Sequence, residues 1–325
     1  MSPRPSNLKV LSVVGAGRSG TTVLASILGE VSGFASAGEL RFLWERGILL
    51  GRPCGCGEIP ARCEVWAPVI DKTMAALQES NPGATVADIV AAQRELARRR
   101  HLVRVLRSTG ADTEGWPPLD LVRSATAAAC CSLAEVTDAA VVVDTSKRPV
   151  DAAIMSGLPQ VDQYVLHVVR DPHAVVHSWR RAKTYTTNGE TRAIGTRTLG
   201  ATVRRWTSNC LSAEVLKSRM PASRWLHVRY EDFAACPRAT VEQILSFLGV
   251  GAVAPFTDDR TVRLRPNHIV AGNPSRFTTG LVEIREDDEW RRTMSARDKA
   301  SVDLMTLPLI RRYGYGLAFS GSTDR

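Results

Sequence analysis

The sequence predicts an α/β protein with a mainly parallel central sheet and helices on both of its faces. Four short apolar runs each end in a polar turn, and three of them precede a segment with helical spacing; the runs begin at Val10, Val141, Tyr164 and Trp225. Parallel neighbours need a long crossover, usually a helix, so this alternation favours a parallel sheet. With 325 residues, 44% of them hydrophobic, the chain can bury one large core. We therefore predict a single domain over residues 1–325.

The pattern changes between the first of these units and the run at Val141. Over about residues 65–137, apolar side chains recur every three or four positions, as at Val86, Ile89 and Val90. This spacing is typical of helices that bury one face. We predict that the stretch is a helical insertion in the domain.

The turn after the first apolar run is rich in glycine and hydroxyl groups. Residues 15–22 read Gly-Ala-Gly-Arg-Ser-Gly-Thr-Thr, and a helix is predicted to begin near Thr22. Backbone N–H groups in such a loop and at a helix N-terminus bind anions. The loop therefore predicts a site for a phosphate or a sulfonate.

Two nucleotide-binding patterns fit the glycines of this loop only in part. Gly15 and Gly20 have the spacing of the ATP-binding loop G-x-x-x-x-G-K-[ST], but Thr21 stands where that motif has its lysine, which argues against ATP or GTP. Together with Gly17 they also match the dinucleotide fingerprint G-x-G-x-x-G, and Glu39 follows at about the spacing of a ribose-binding acid. An NAD(P)-dependent Rossmann oxidoreductase therefore stays open as an alternative.

A phosphosulfate accounts for the remaining side chains of the loop. Arg18 and the hydroxyls of Thr21 and Thr22 can donate hydrogen bonds to it while the backbone N–H groups bind its oxygens. The dinucleotide pattern gives no role to Arg18 or to the paired threonines.

A second anion-binding pattern follows the third apolar run. Asp171 is suited to cap a helix whose first residue is Pro172. Arg170 precedes this helix, and Ser178, two helical turns into it, can lie on the same side. A guanidinium and a hydroxyl placed in this way suit a dianionic phosphate.

The two patterns resemble motifs of the sulfotransferases that use 3′-phosphoadenosine-5′-phosphosulfate (PAPS). Residues 18–22, Arg-Ser-Gly-Thr-Thr, match the 5′-phosphosulfate loop [KR]-S-G-T-T, and residues 170–178 match the 3′-phosphate motif R-D-P-x-x-x-x-x-S. The resemblance implies a P-loop-like sulfotransferase fold, PAPS as donor and 3′-phosphoadenosine-5′-phosphate (PAP) as product. The acceptor hydroxyl could belong to a small molecule, a glycan, a lipid or a tyrosine. The implied nucleotide contacts are Gly17, Arg18, Ser19, Gly20, Thr21, Thr22, Arg170 and Ser178.

The branch that contains the protein-tyrosine sulfotransferases is similar at two further positions. It carries a glutamate in a Gly-Glu context after the R-S-G-T-T loop, which implies that Glu39 is the general base of an in-line attack on sulfur. Lys147, at the end of the Val141 run, is in a comparable place to a lysine that neutralises the leaving phosphate, a role that Ser146 and Arg18 could share. A surface glutamate and a solvated lysine are the plainer alternatives.

A Tyr-Glu-Asp turn follows the fourth apolar run. Many sulfotransferases have this turn, which implies that Tyr230 contacts the adenine. We expect Glu231 and Asp232 to cap the helix predicted over residues 237–247.

Two further segments are expected to border the substrates. Family members commonly close over the nucleotide with a C-terminal loop that holds a glycine and a cation, which Gly272 and Arg276 fit loosely. The polar segment over residues 183–200 is too long for a tight connector, so we expect it to cover the acceptor.

Three of the seven cysteines form a cluster in the sequence: Cys54, Cys56 and Cys63. They could hold zinc with a fourth ligand such as His101 or a distant cysteine, or form one labile bridge to Cys63. Because the C-x-C-x6-C spacing lacks paired C-x2-C knuckles, we predict a structural loop instead. The implied reaction requires no metal, since fixed cations can do what magnesium does in ATP enzymes.

The composition and charge of the chain indicate which kinds of ligand and partner to expect. The formal charge of +9 comes from arginines spread along the chain, and aromatics are only 6%, which favours an anionic small ligand over nucleic acid. No stretch approaches about 20 apolar residues, and no apolar signal core precedes the first strand, so we expect a cytoplasmic protein without stable membrane insertion. The oligomeric state is not determined. A catalytically silent nucleotide-binding protein remains a further alternative.

Overall fold

The computed structural model describes residues 7–108, 115–181, 183–187 and 190–318. The strands are β1 (Leu8–Val14), β2 (Phe34–Gly38), β3 (Val141–Lys147), β4 (Val161–Val169), β5 (Lys183–Thr187), β6 (Glu190–Ile194), β7 (Trp225–Arg229), β8 (Thr261–Leu264) and β9 (Gly280–Glu283). Five of them form the central sheet in the order β2–β3–β1–β4–β7, and every pair in it is parallel. The predicted parallel α/β architecture is confirmed.

Helices alternate with these strands along most of the chain. They are α1 (Thr21–Gly29), α2 (Trp66–Ser80), α3 (Val86–Leu96), α4 (Arg99–Arg107), α5 (Pro117–Thr137), α6 (Pro149–Met155), α7 (Pro172–Arg180), α8 (Leu199–Lys217), α9 (Tyr230–Ala235), α10 (Pro237–Phe247), α11 (Trp290–Thr293) and α12 (Ala296–Arg312). A π-helical segment, Leu43–Leu49, follows β2.

The sheet is buried on both faces, as its apolar strands require. In β1, Val10 packs with α2 and α5, whereas its neighbour Leu11 packs with α1 and α10 on the opposite face. Side chains alternate between the two faces of a strand, so a continuous apolar run is needed when helices cover both. The central position of β1, with β3 on one side and β4 on the other, places the carboxyl ends of all three strands at one edge.

Four helices, α2 to α5, occupy residues 66–137 between β2 and β3, where helical spacing was predicted. In the segment predicted as a loop over residues 183–200, β5 and β6 form an antiparallel hairpin, and α8 begins at Leu199. Residues 182, 188 and 189 lie outside the described part of the chain. That residues 1–325 form a single domain stays a prediction.

The described helices were compared with the length and hydropathy that a bilayer crossing demands. Within the described ranges, none of them combines a sufficient length with a sufficiently apolar sequence.

Candidate active site

A cavity of about 920 Å³ opens at the edge of the sheet where the parallel strands end. In open parallel sheets, ligands bind at this edge, beside the strand at which the connections change direction. The turns after β1, β2, β3 and β4, the start of α9 and residues 272–275 all contribute to the lining. The sheet therefore brings together segments that are far apart in the sequence.

The turn after β1 forms one wall of this cavity. Gly20 precedes the first residue of α1 and has a φ of +73°, and a Cβ at this position would lie 2.6 Å from the ring of Tyr230. Only glycine combines that backbone conformation with so close an approach. The N-terminus of α1 and the aromatic ring are therefore adjacent in the wall.

Arg170 is held at the end of β4 by backbone oxygens. It is 5% exposed, and its guanidinium donates to the carbonyl oxygen of Arg18 at 2.8 Å and to that of Asp287 at 3.0 Å. The same guanidinium lies 4.3 Å from the ring centroid of Tyr230. Its Nε is buried and has no partner among the described residues. The side chain is thus fixed in place and retains a donor for a ligand.

Helix α7 begins as the sequence predicts. Asp171 accepts a hydrogen bond from the backbone N–H of His173 at 2.8 Å, with Pro172 as the first helical residue. Ser178 lies on the turn of this helix that lines the cavity with Arg170.

The capping prediction for Glu231 is wrong. Glu231 lies in α9, where its carboxylate accepts from the backbone N–H of Asp171 at 3.1 Å and from the hydroxyl of Tyr315 at 2.7 Å. Asp232 also lies in α9, and α10 begins after Cys236 without a side-chain cap. The Tyr-Glu-Asp turn therefore supports the start of α7 rather than that of α10.

Glu39 and Lys147 form an ion pair across the ends of β2 and β3. Lys147 Nζ is 2.5 Å from Glu39 Oε1, and both side chains are largely buried. The backbone of Lys147 has a φ of +71°, and its carbonyl oxygen accepts from the N–H of Gly15 at 2.8 Å. The ion pair is therefore tied directly to the turn after β1.

The buried carboxylate of Asp144 contacts the residues that adjoin this pair in the chain. Asp144 accepts hydrogen bonds from the backbone N–H groups of Leu40 and Ser146 and from the Ser146 hydroxyl, at 3.3, 2.9 and 2.6 Å. The Ser146 hydroxyl in turn accepts from the N–H of Arg41 at 3.2 Å. Burial raises the pKa of Asp144 to about 7, against the effect of these donors. Asp144 thus joins the turns that carry Glu39 and Lys147.

The segment after β8 completes the wall beside Glu39. Val270 pairs with Gly38 at the end of β2, and its carbonyl oxygen accepts from the N–H of Glu39 at 2.8 Å. The N–H of Asn273 donates to Thr22 Oγ1 at 3.2 Å, and Gly272 lines the cavity. This segment therefore contacts both α1 and the turn after β2.

Two predicted contact residues lie outside the cavity lining. Ser19 is 1% exposed and its hydroxyl is buried behind the loop. Arg276 is also buried, and its guanidinium donates to the carbonyl oxygens of Gly272 at 3.2 Å and Pro53 at 3.4 Å. Arg276 supports the turn at Gly272. The other predicted contacts line the cavity: Gly17, Arg18, Gly20, Thr21, Thr22, Glu39, Ser146, Lys147, Arg170, Ser178, Tyr230 and Gly272.

Comparison with known proteins finds a family match for the part of the chain that holds Arg170, Ser178 and Tyr230. Residues 152–254 match the model of the sulfotransferase family. This part of the chain is similar to the sulfotransferase family.

Solved structures extend the likeness in fold to nearly the whole chain. The sulfotransferase domain from the Synechococcus PCC 7002 olefin synthase is 19% identical over 98% of each chain, with a TM-score of 0.50, which shows the sulfotransferase fold. The sulfotransferase domain from the curacin biosynthetic pathway is 14% identical over 97% of this chain and 100% of its own, with a TM-score of 0.49. Sulfotransferase STF9 from Mycobacterium avium is 11% identical over 98% of this chain and 79% of its own, with a TM-score of 0.45. No curated protein sequence matches this chain.

Sequence reasoning missed most of the arginines that line the cavity. Within the described residues, nine arginines and one lysine line the cavity, whereas the acidic residues in the lining are Glu39 and Asp287. Arg204 and Arg205 come from α8. The signals in the sequence were the formal charge of +9 and the adjacent positions of these two arginines. The nine arginines are Arg18, Arg41, Arg46, Arg52, Arg148, Arg170, Arg197, Arg204 and Arg205.

These arginines lie close enough to repel one another. Burial is the largest cause that lowers the pKa of Arg18, and the charges of Arg181, Arg170 and Arg197 lower it further. The pKa of Arg205 is lowered first by burial and then by Arg197 and other arginines. An anion in the cavity would offset both effects, because a nearby opposite charge favours the charged form of each guanidinium.

Proposed function

We propose that the enzyme transfers the sulfuryl group of PAPS to a hydroxyl acceptor, with Glu39 as the general base. One observation carries this proposal: the loop Gly17–Thr22, the pair Arg170 and Ser178, and the ion pair of Glu39 with Lys147 line the same cavity. The first two groups suit two separate phosphate-like groups, and the third lies between β2 and β3 beside the loop. PAPS carries one anionic group at the 3′ position and one at the 5′ position of its ribose, so it has a group for each of the first two sites.

The side chains present fit such a donor. Arg18 and Arg170 each have a buried Nε without a partner among the described residues, so each can still donate to an anion. The excess of cations in the lining matches a ligand that carries about four negative charges at neutral pH. A cavity of about 920 Å³ lies near the upper end of the range for small-molecule sites, about 300–1,000 Å³, so a nucleotide and an acceptor both fit.

We assign the donor contacts by charge and position. The backbone of residues 17–22, with Arg18 and the threonine hydroxyls, holds the 5′-phosphosulfate at the start of α1. Arg170 and Ser178 hold the 3′-phosphate, and the ring of Tyr230 contacts the adenine. Ser19 and Arg276 do not contact the donor directly in this assignment. Ser19 supports the loop from within it, and Arg276 supports the turn at Gly272.

Each group near the ion pair then has a chemical task. PAPS supplies an activated sulfuryl group, whose bond to the 5′-phosphate oxygen breaks as the acceptor oxygen bonds to sulfur. Glu39 takes the proton of the acceptor hydroxyl. Lys147 and Arg18 neutralise the charge that develops on the departing phosphate oxygen. Lys147 has three N–H donors, so it can keep Glu39 in position while it donates to that oxygen.

The acceptor is expected to carry a negative charge of its own. The lining that the donor does not use comes from α8 and from the segment around Arg46 and Arg52. Arg204 and Arg205 add two cations to it from α8. We therefore propose an acceptor that combines a hydroxyl with a carboxylate, sulfate or phosphate group.

The test is a transfer assay with sulfur-labelled PAPS, the purified protein and an extract of the source cells, followed by mass analysis of the labelled product. We expect a sulfated, anionic product. Parallel titrations with PAP and NADH distinguish the alternatives. Binding of NADH alone would favour the oxidoreductase, and binding of PAP without a product from any extract or acceptor would favour the silent nucleotide-binding protein.

A further inference from the structure

A compact group of metal-binding side chains lies outside the active-site cavity: Cys54, Cys56, Cys63 and His268. One ligand atom from each of the four lies within 4.8 Å of all the others. Cys63 Sγ is 3.7 Å from Cys54 Sγ and 3.8 Å from Cys56 Sγ. Four-coordinate zinc with Zn–S bonds of about 2.3 Å holds thiolates about 3.8 Å apart. Two of the distances therefore equal the edge of a zinc tetrahedron.

The other two measured edges are shorter. Cys54 Sγ and Cys56 Sγ are 2.9 Å apart, and Cys63 Sγ is 3.1 Å from Nδ1 of His268. An ion at the centre needs each of these edges to lengthen by less than about 1 Å, which side-chain rotation allows. The three thiols and the imidazole nitrogen thus surround one point.

The local backbone holds these groups together although His268 comes 205 positions after Cys63. The N–H of Gly55 donates to the carbonyl oxygen of Ile269 at 3.0 Å. A Cβ at Gly55 would lie 1.9 Å from Oδ1 of Asn267, so the cysteine loop can pack this closely only with glycine there. Trp66 Nε1 donates to the carbonyl oxygen of His268 at 2.5 Å. The loop and the histidine segment are therefore docked by contacts that do not involve the four ligand atoms.

We propose that Cys54, Cys56, Cys63 and His268 bind a structural zinc ion. Three thiolates and one imidazole are a ligand set that zinc prefers, and four protein ligands leave no open position for catalysis. Glu64 Oε1 is 3.5 Å from Nε2 of His268, so a carboxylate can orient the ring with Nδ1 toward the ion. The fourth ligand is His268 and not the predicted His101, which lies 2.8 Å from Glu95 and packs against Trp116.

The site secures one wall of the active-site cavity. The segment that begins at His268 continues into Val270, which pairs with β2, and Gly272, which lies beside Thr22 and Glu39. Arg276, further along, donates to the carbonyl oxygen of Pro53, next to Cys54. The metal joins the cysteine loop to this wall, so its loss is expected to loosen the turn beside Glu39.

Metal content of the full-length protein tests the site without reference to activity. We expect the protein, purified without chelator, to contain about one zinc ion per chain. Replacement by Co²⁺ should give the strong thiolate-to-cobalt charge-transfer and d–d absorption bands of a tetrahedral thiolate site. A metal-free protein that gains no such bands with cobalt would overturn the proposal. So would mass analysis under non-reducing conditions that finds a disulfide between any two of the three cysteines.

Variants locate the site. Cys56→Ser and His268→Ala should each lose most of the bound zinc and lower the melting temperature. Cys131→Ser removes a half-buried thiol from α5, away from the cluster, and serves as the matched control that keeps the metal. Should a ligand variant fold poorly, the zinc and cobalt measurements on the wild-type chain still decide the question. Equal zinc content in the control and the ligand variants would contradict the assignment.

Discussion

The two sides of the active-site cavity are built in different ways. On the donor side, the turns at strand ends are fixed by hydrogen bonds. The Arg170 guanidinium donates to two backbone oxygens, and the carbonyl oxygen of Lys147 accepts from the N–H of Gly15. On the acceptor side, much of the lining consists of long basic side chains on a helix surface, such as Arg204 and Arg205. In our proposal, donor recognition therefore depends on the backbone of the fold, whereas acceptor recognition depends on side chains that substitution can change without altering the sheet.

The largest effect is expected where the two sides meet, at Glu39. Glu39→Gln keeps the shape of the side chain and an oxygen that can accept from Lys147, but it removes the base. We expect kcat to fall by about 10²- to 10⁴-fold, the range for loss of a general base. PAP affinity, measured by calorimetry, should change little. A variant with nearly normal kcat would place the base elsewhere.

Arg170→Ala should weaken the donor side alone. Loss of a charged hydrogen bond costs about 1.5–3 kcal/mol, so we expect the Kd for PAP to rise about 10- to 150-fold. Arg170→Lys is the matched control, since it keeps the charge and loses the bidentate geometry. Adenosine 5′-phosphate lacks the 3′-phosphate, so its affinity should change much less. Equal losses for both nucleotides would contradict the assignment of Arg170 to the 3′-phosphate.

The pH dependence of the free energy of unfolding tests the contribution of the buried Asp144 carboxyl group. Its pKa is raised from 3.8 to about 7 by burial, so the folded state binds this proton more tightly than the unfolded state does. The stabilisation that the protonated Asp144 contributes is therefore present at low pH and is lost as pH rises from 3.8 to about 7. Over this range the free energy of unfolding should fall by at most about 1.4 kcal/mol per pH unit. Asp144→Asn cannot ionise and should lack this decline. Denaturant unfolding of both proteins across this range measures the difference, and parallel profiles would contradict it.

The smallest effect is expected on the acceptor side. Arg205→Ala should raise the KM for an anionic acceptor by about twofold to fivefold, the scale of one partly solvated charge contact. PAP affinity should not change. Arg219→Ala removes an exposed arginine just beyond α8 and serves as the control. If Arg205→Ala weakens PAP binding instead, the cavity is divided between donor and acceptor differently from our proposal.

The parts of the fold and the site that the sequence predicted depend on short stretches of chain. The cap at Asp171 and the strand–turn–helix around residues 15–22 follow from neighbouring residues, and the structure has both. The ion pair of Glu39 with Lys147 depends on β2 lying beside β3, an arrangement that no local pattern fixes. Arg276 was predicted as a contact because it is a cation in a glycine-bearing loop, but its direction depends on packing against Pro53.

Errors arose where a partner lies far away in the sequence. Glu231 was predicted to cap the next helix, and instead it contacts Asp171 and Tyr315 across the fold. The structural loop predicted for the cysteine cluster stays a prediction, and the sequence did not indicate the histidine beside the cluster, which lies 205 positions after Cys63. The resemblance to the tyrosine-sulfating branch stays a prediction, because neither the family match nor the solved structures distinguish that branch.

A crystal structure of the enzyme with PAP tests the central claim most directly. We predict that the 3′-phosphate lies within hydrogen-bonding distance of the Arg170 guanidinium and the Ser178 hydroxyl, with the 5′-phosphate against the backbone of residues 17–22. A complex with the 3′-phosphate away from Arg170, or with the nucleotide bound outside this cavity, would contradict the account.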